Sequence, residues 1–84
     1  MNEQEIGTVT DYYTHVHVIA VEVIGSELNI GDEIHIVGHT TDLNVTVNSM
    51  ELNHKHIDKA LHGQVVGIRC EERVRPHDHV YVVH

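Results

Sequence analysis

The sequence predicts an all-β fold: one six-stranded Greek-key barrel that occupies residues 1–84 as a single domain. Its hydrophobic residues are mostly Val and Ile, without Phe or Trp, and β-branched side chains favour strands. Short alternating runs separated by turn residues recur along the chain, which is typical of sandwiches and barrels. A closed sheet is expected because an open sheet of this size would leave an apolar face and both edges uncovered.

The first two runs, residues 5–13 and 15–24, predict a β-hairpin across a tight connection near Thr14. In the second run Val16 and Val18 share one face, whereas Val21 and Val23 share the other. Because side chains alternate along a strand, this change of phase predicts a bulge or a bend near residue 20.

The middle of the chain predicts two further strands. Residues 28–32 form a turn in which Gly31 can take a positive φ, and a strand follows from Glu33 to Gly38. The next run, from Leu43 to Asn53, changes its apolar phase near residues 48–49, where another bulge is predicted.

The last third predicts a connector and two closing strands. Residues 54–63 have the only helix-compatible composition, and Gly63 limits this connector to about one helical turn. Residues 64–72 alternate again, with Val66, Ile68 and Cys70 on one face. After a turn at residues 75–78, the run HVYVV completes the barrel.

Charge is distributed unevenly along a chain whose net charge is −8. Residues 1–54 contain nine acids and no Lys or Arg, whereas residues 55–84 contain all five fixed cations. An anionic partner such as RNA is therefore expected to bind the last third of the chain. The alternative is that these cations only balance neighbouring acids. The predicted RNA-binding residues are Lys55, Lys59, Arg69, Arg73 and Arg75.

Tyrosines are the only aromatic residues that could stack on a nucleobase. Tyr12 and Tyr13 are adjacent, so one is expected to pack inward and the other to be exposed. An RNA contact by the exposed tyrosine would add to the contacts of the basic residues.

Ten histidines make up an unusually large share of the chain. A His-x-His pair on a strand could offer two imidazoles to one metal ion, but a zinc site needs three or four ligands, so two pairs would have to meet. A pH-responsive surface is another interpretation, because protonation of all ten would change the net charge from −8 to +2. The third is that they are solvated side chains. The weak metal candidates are His15, His17, His54, His56, His77 and His79.

The sequence offers little for catalysis, and neither enzymatic activity nor a cofactor is expected. Cys70 lies on an apolar face and is expected to be a buried, inert thiol. No Gly-x-Ser-x-Gly elbow and no GxxxxGK[ST] nucleotide-binding loop is present. A single cysteine, together with no apolar segment long enough for a signal peptide or a membrane span, predicts a cytoplasmic protein.

Four short motifs follow one another along the chain: Gly7 with Val9, Gly31-Asp32 with Ile34, Val47 with Ser49 and Met50, and Ala60 with Gly63, Val66, Gly67 and Ile68. In this order they resemble the second domain of elongation factor Tu and its relatives. The resemblance to the C-terminal barrel of the collagenase-like peptidase family, and to free-standing elongation-factor-like proteins, is closer and covers nearly the whole chain. One departure is His77-Asp78, where the family usually has Gly-Asp.

The resemblance implies a non-catalytic module, because the relatives' enzymatic and nucleotide-binding parts lie in other domains. Several members of the peptidase family act in tRNA hydroxylation. The implied function is therefore contact with RNA or an RNA-processing protein in translation or tRNA modification, with tRNA or a tRNA-processing enzyme as the partner and no membrane. The alternative is a protein-interaction module that self-associates or recruits an enzyme, and a histidine metal site is a third interpretation.

Overall fold

The computed structural model describes residues 2–84, which contain ten β-strands and no helix. An all-β fold is thus confirmed, but with ten strands rather than six, because several short strands lie in segments predicted as turns and connectors. No helix in the described residues is long and apolar enough to span a membrane. The strands are β1 (Glu3–Tyr13), β2 (Val18–Val23), β3 (Glu27–Asn29), β4 (Glu33–Val37), β5 (Asp42–Thr46), β6 (Met50–Leu52), β7 (Lys55–Ile57), β8 (Lys59–Leu61), β9 (Val65–Arg69) and β10 (His79–Val83).

Eight strands form one sheet in the order β5-β4-β10-β1-β2-β9-β6-β7, and β3 pairs with β8 in a second, two-stranded sheet. All of these pairings are antiparallel. The predicted β1–β2 hairpin is confirmed. The bulge predicted near residue 20 of the second run is wrong, because β2 pairs with β9 in continuous register. The register shift between β1 and β2 lies in β1, where Thr10 is the extra residue between Val9 and Asp11. A second bulge, at Ile6, interrupts the pairing of β1 with β10.

The prediction of a single bulged strand from residue 43 to residue 53 is wrong. Instead β5 ends at Thr46 and β6 begins at Met50, and these two strands are first and seventh in the order of the large sheet. Residues 47–49 therefore cross between distant parts of the sheet. Val47 is completely buried in this crossing, and its amide donates to the carbonyl of Asp32 at 2.8 Å.

The short crossing forces the large sheet to curl. At about 4.8 Å per step, the six steps from β5 to β6 would span roughly 29 Å if the sheet were flat. The link between the two strands reaches at most about 14 Å. The sheet bends around the core, but its hydrogen bonding does not close, since β5 and β7 are its end strands in the described part of the chain. The predicted closed barrel is therefore not found.

The helical turn predicted for residues 54–63 is also wrong. This segment forms β7 and β8, and a two-residue turn, Asn53-His54, joins β6 to β7. Both turn residues have positive φ angles, 53° and 67°. Two positive φ angles are the geometry of a type I′ hairpin turn, whose twist matches that of the flanking strands. Local turn geometry thus outweighs a helix-compatible composition here.

The closing strands agree with the alternation in the sequence. Val66, Ile68 and Cys70 are buried, whereas Val65 and Arg69 are exposed. The core within the curled sheet is aliphatic, as the composition predicts, and within residues 2–84 no buried side-chain nitrogen or oxygen lacks a hydrogen-bond partner. The largest completely buried side chains include Ile19, Leu28, Ile34, Ile36, Met50 and Ile68.

Candidate functional site

A groove of about 830 Å³ lies over the outer face of β2 and β9. Its floor contains Ala20 and Gly67, which are direct cross-strand neighbours. Because one has only a methyl group and the other has no side chain, the face is hollow at this point. We call this surface the Tyr13 groove, and its defining residues are Tyr13, Val16, Ala20, Val65, Gly67 and Arg69.

Apolar side chains that remain accessible to water border the floor. Tyr13, at the end of β1, is 50% exposed, and Val16, in the hairpin turn, is 56% exposed. Val65 of β9 is 48% exposed. Covering such side chains releases their hydration water and is favourable. Binding of an apolar or aromatic group in the Tyr13 groove is therefore expected to be favourable.

The rim of the Tyr13 groove is polar and carries both signs of charge. Arg69 donates to Oε2 of Glu71 from Nε at 3.3 Å and from Nη2 at 3.2 Å. Glu51 also lines the groove, and its Oε2 lies 3.7 Å from Nε2 of His56. Of the residues that line this groove, Arg69 is the one fixed cation. The groove is thus mainly apolar, with a charge that could orient a ligand at one side.

The predicted basic residues are spread over several elements of the fold. Arg69 borders the Tyr13 groove, whereas Arg75 lines a separate groove of about 450 Å³ beside Pro76. The Arg75 guanidinium donates from Nε to Oγ1 of Thr40 at 2.9 Å, which ties it to the turn between β4 and β5. The two arginines therefore contact different surfaces.

The remaining basic residues lie elsewhere. Lys59 is on β8, and its Nζ is 3.7 Å from Oε2 of Glu27 on the neighbouring β3. Lys55 begins β7, and Arg73 lies in the loop after β9. A shared role of these residues in RNA binding stays a prediction.

The adjacent tyrosines divide as predicted. Tyr12 is partly buried and packs against the core, whereas Tyr13 is half exposed. The exposed ring lines the same groove as Arg69. An aromatic face and a guanidinium are therefore brought to one surface.

The histidine pairs do not have the arrangement predicted for metal ligands. His15 and His17 lie in the turn between β1 and β2, not on a strand, and His17 has a φ of 56°. His54 and His77 likewise lie in turns, with φ angles of 67° and 77°. The rule that residues two apart share a face of a strand therefore does not apply to these pairs. Within residues 2–84, no three His, Cys, Asp or Glu side chains are grouped so that they could hold a metal ion.

Cys70 is buried, as predicted. Burial raises the pKa of its thiol, because a thiolate would lose its hydration. The thiol donates to the carbonyl oxygen of Glu72 at 3.2 Å. These surroundings favour the unreactive thiol form.

Arg69 and an exposed tyrosine were predicted from the sequence as contact residues, but the apolar part of the groove was not. Its signal was Val65, an apolar residue on the polar side of its alternating run, and Val16, an apolar residue in a turn. Each is unremarkable alone, since scattered exposed hydrophobic residues are common. Only the pairing of β2 with β9 brings them around Ala20 and Gly67.

The fold matches that of a solved protein domain. The C-terminal domain of a candidate U32 peptidase from Geobacillus thermoleovorans superimposes with a TM-score of 0.87 at 17% identity, covering 96% of this chain and 93% of that chain. The selenomethionine variant of that domain gives a TM-score of 0.85 at 18% identity, covering 92% and 96% of the two chains.

Sequence comparison extends this likeness to longer proteins. The chain is 40% identical over 80 residues to an uncharacterised protease of Methanocaldococcus jannaschii, and 35% identical over 77 residues to a collagenase of Porphyromonas gingivalis. Its homologues are proteins of the U32 peptidase and collagenase type. These matches cover 94% and 90% of this chain but 19% and 21% of the two relatives, so the chain spans about a fifth of their length. No protein-family profile matches the sequence.

Proposed function

We propose that this chain is a non-catalytic module that binds a partner protein through the Tyr13 groove. The observation that supports this function is the composition of the groove, in which half-exposed Tyr13, Val16 and Val65 surround the hollow between Ala20 and Gly67. Aromatic and aliphatic side chains that fill a well-shaped hollow dominate the energy of many protein interfaces. The single fixed cation at the rim suits one oriented polar contact, not a polyanion.

The partner we propose is the remaining part of a collagenase-type protein, on the same polypeptide or on a separate one. In the relatives from M. jannaschii and P. gingivalis the matched segment is 19% and 21% of a longer chain. A unit of about 80 residues attached to a much larger protein has an opportunity to bury an apolar surface against it. We also propose that this fold is related to the second domain of elongation factor Tu, although the large sheet here stays open.

A non-catalytic role is supported by the state of the one cysteine. Cys70 is buried and its thiol is bonded to a backbone carbonyl, so it is poorly placed to act as a nucleophile. Any peptidase activity of the named relatives would then reside in the four-fifths of their length that this chain does not match.

A second candidate function is contact with single-stranded regions of RNA such as tRNA. The observation that favours it is that Tyr13 and Arg69 line one groove, since stacking and a guanidinium are the usual means of gripping an unpaired nucleotide. It ranks second because the net charge of −8 opposes a phosphate backbone and the other four cations are distributed over other elements.

The test is a binding titration against the collagenase-type protein of the same organism, lacking the segment that corresponds to this chain. The wild-type module is compared with Tyr13→Ser and Val65→Ser, which remove apolar surface from the groove. Leu61→Ser is the matched control, because Leu61 is 49% exposed and does not line the groove. We expect at least a tenfold loss for the two groove variants, about 1.4 kcal/mol or more, and no change for the control.

The salt dependence separates the two candidates. Binding through the groove should persist at high salt, because apolar burial is not screened. Binding to labelled tRNA that falls steeply with salt, and that is lost in the combined Arg69→Ala, Arg73→Ala and Arg75→Ala variant, would favour the RNA function instead. Equal loss of protein binding in the groove variants and in Leu61→Ser would contradict the groove as the contact surface.

A further inference from the structure

His35 is held between two carboxylates that come from different strands. Its Nδ1 lies 2.8 Å from Oε2 of Glu3 on β1, and its Nε2 lies 2.6 Å from Oδ1 of Asp42 at the start of β5. The imidazole itself is on β4, directly opposite Tyr81 of β10 and Asn44 of β5. These two contacts therefore connect β4 to its neighbour β5 on one side, and to β1 on the other side, beyond β10.

The hydrogen bonding identifies which form of the imidazole fits this position. A carboxylate only accepts hydrogen bonds, so each contact requires a proton on the ring nitrogen that faces it. A neutral imidazole has one N–H and one lone pair, and can satisfy only one of the two carboxylates. Both contacts are formed together only by the cationic imidazolium.

The surrounding strands reinforce this requirement. No Lys or Arg lies on β1, β4, β5 or β10, so histidine is the cation available to their acidic side chains. Hydrogen bonding to Asp42 raises the pKa of His35 above its ordinary value, partial burial opposes the rise, and Glu3 adds to it. Asp11, Tyr12 and Tyr13 lie at the far end of β1, beyond its pairing with β10. The titratable groups near His35 on these four strands are Glu3 and Glu5 of β1, Glu33 of β4, Asp42 of β5, and His79 and Tyr81 of β10.

A second histidine on the same face provides a contrast. Nδ1 of His79 lies 2.7 Å from Oε2 of Glu5, and no second carboxylate contacts its ring in the described part of the chain. A neutral His79 can therefore keep its one contact by donating from Nδ1. His79 is also more accessible, with 54% of its side chain exposed against 22% for His35.

We propose that Glu3, His35 and Asp42 form a pH-sensitive staple, which holds the end strand β5 to β4 and β1 while His35 is charged and loosens when it becomes neutral. We use the name Glu3–His35–Asp42 staple for these three residues. Since β5 is one end of the eight-stranded sheet, loosening the staple would expose its backbone to exchange with water.

The direction of the pH effect follows from which form the fold favours. A histidine whose pKa is raised by folding contributes stability that is fully present below the unfolded value, about 6.5, and is lost as pH rises through the higher folded-state value. The staple should therefore weaken as pH rises through the raised folded-state pKa of His35. An interface that contained β5 would acquire the same dependence.

The proposal is tested by nuclear magnetic resonance of the full chain from about pH 5 to about pH 9. Imidazole ¹⁵N shifts report the protonation of each ring nitrogen of His35, and amide exchange rates, corrected for their intrinsic pH dependence, report the opening of β5. We expect His35 to titrate above its ordinary value, with both nitrogens protonated below the midpoint of that titration. Protection of β5 should fall severalfold as His35 becomes neutral, while protection of β9 stays constant.

Two variants and one control distinguish the staple from a general effect of charge. Asp42→Asn and Glu3→Gln each replace a carboxylate by a neutral amide, which removes a negative charge that favours the imidazolium, and should lower the midpoint of the His35 titration and shift the opening of β5 with it. Glu5→Gln is the control, because the Glu5 side chain contacts His79 and not His35. This variant should leave the His35 titration and the protection of β5 unchanged. Because Asp42 is 79% exposed, its replacement should not prevent folding. Titration of His35 at or below its ordinary value, or the same pH course of β5 protection in His35→Gln, would overturn the proposal.

Discussion

The carboxylate of Asp78 lies against Gly38 and occupies the space that the Cβ of any other residue at position 38 would need. Asp78 is buried, with 4% exposure, and its Oδ2 accepts a hydrogen bond from the amide of Arg75 at 2.9 Å. One carboxylate therefore holds the turn before β10 and packs against the turn after β4. This contact joins two segments that are 40 positions apart in the sequence.

The first prediction is that Gly38→Ala destabilises the protein by about 1–3 kcal/mol, because the new methyl group overlaps Asp78 and one of the two must move. Chemical denaturation measures the change. Asp78→Ala removes the overlapping group, so the cost of Gly38→Ala should shrink in that background. An unchanged cost would show that the carboxylate is not what excludes the methyl group.

The second prediction concerns His77, which occupies a position with a φ of 77°. A left-handed conformation costs a residue with a side chain roughly 1–2 kcal/mol, whereas glycine adopts it freely but loses about 0.5–1 kcal/mol in backbone entropy. His77→Gly should therefore raise the free energy of unfolding by roughly 0.5–1 kcal/mol. Thermal unfolding of this variant would be compared with that of His79→Gly.

His79 is the matched control because it begins β10 and contacts Glu5. A glycine there weakens a strand and removes the contact, so this variant should be less stable than the wild type. The explanation through positive φ fails if both glycine variants are destabilised.

The third prediction tests the crossing that curls the sheet. Val47 is completely buried between β5 and β6, so Val47→Ala should lower the free energy of unfolding by about 1–3 kcal/mol through lost burial and a residual cavity. Val16→Ala makes the same chemical change at a site that is 56% exposed, and should alter stability by less than about 0.5 kcal/mol. Similar effects of the two substitutions would argue against Val47 as a core residue.

The fourth prediction is that Cys70 resists thiol reagents in the native protein. Burial raises the pKa of its thiol and limits access, so at about pH 8 it should react with Ellman's reagent far more slowly than in the unfolded chain. Introducing Ser26→Cys at an exposed turn supplies a positive control within the same protein. Equally fast reaction of both thiols would mean that Cys70 is accessible.

Much of the strand content was predictable because its signals are local. Alternation with a period of two identified β1, β2, β4, β9 and β10, but the change of phase inferred near Ala20 does not exist in β2, which pairs with β9 without a shift. Ile19, Val21 and Val23 are buried in one phase, and Val18 is an apolar residue on the opposite, outer face, which the sequence pattern suggested was a slip. Similarly, residues 54–63 have a helix-compatible composition, but Asn53 and His54 have positive φ angles and form a hairpin turn that starts a strand at Lys55.

The candidate sites were much less predictable. Basic residues in the last third of the chain suggested one patch, yet Arg69 and Arg75 line different grooves. The Tyr13 groove depends on Ala20 and Gly67 becoming cross-strand neighbours, which neither residue type signals by itself. The Glu3–His35–Asp42 staple spans four strands, so no short motif could reveal it.

The sequence by itself determined an aliphatic all-β core, a buried cysteine and an acidic region whose titratable cations are histidines. These properties follow from composition and from alternation, which act between residues close together in the chain. The order of the strands, the crossing at Val47, the hollow at Gly67 and the partners of His35 were decided only by the tertiary structure. Each of these arises from long-range antiparallel pairing, whose register depends on how all the strands bury their apolar faces together.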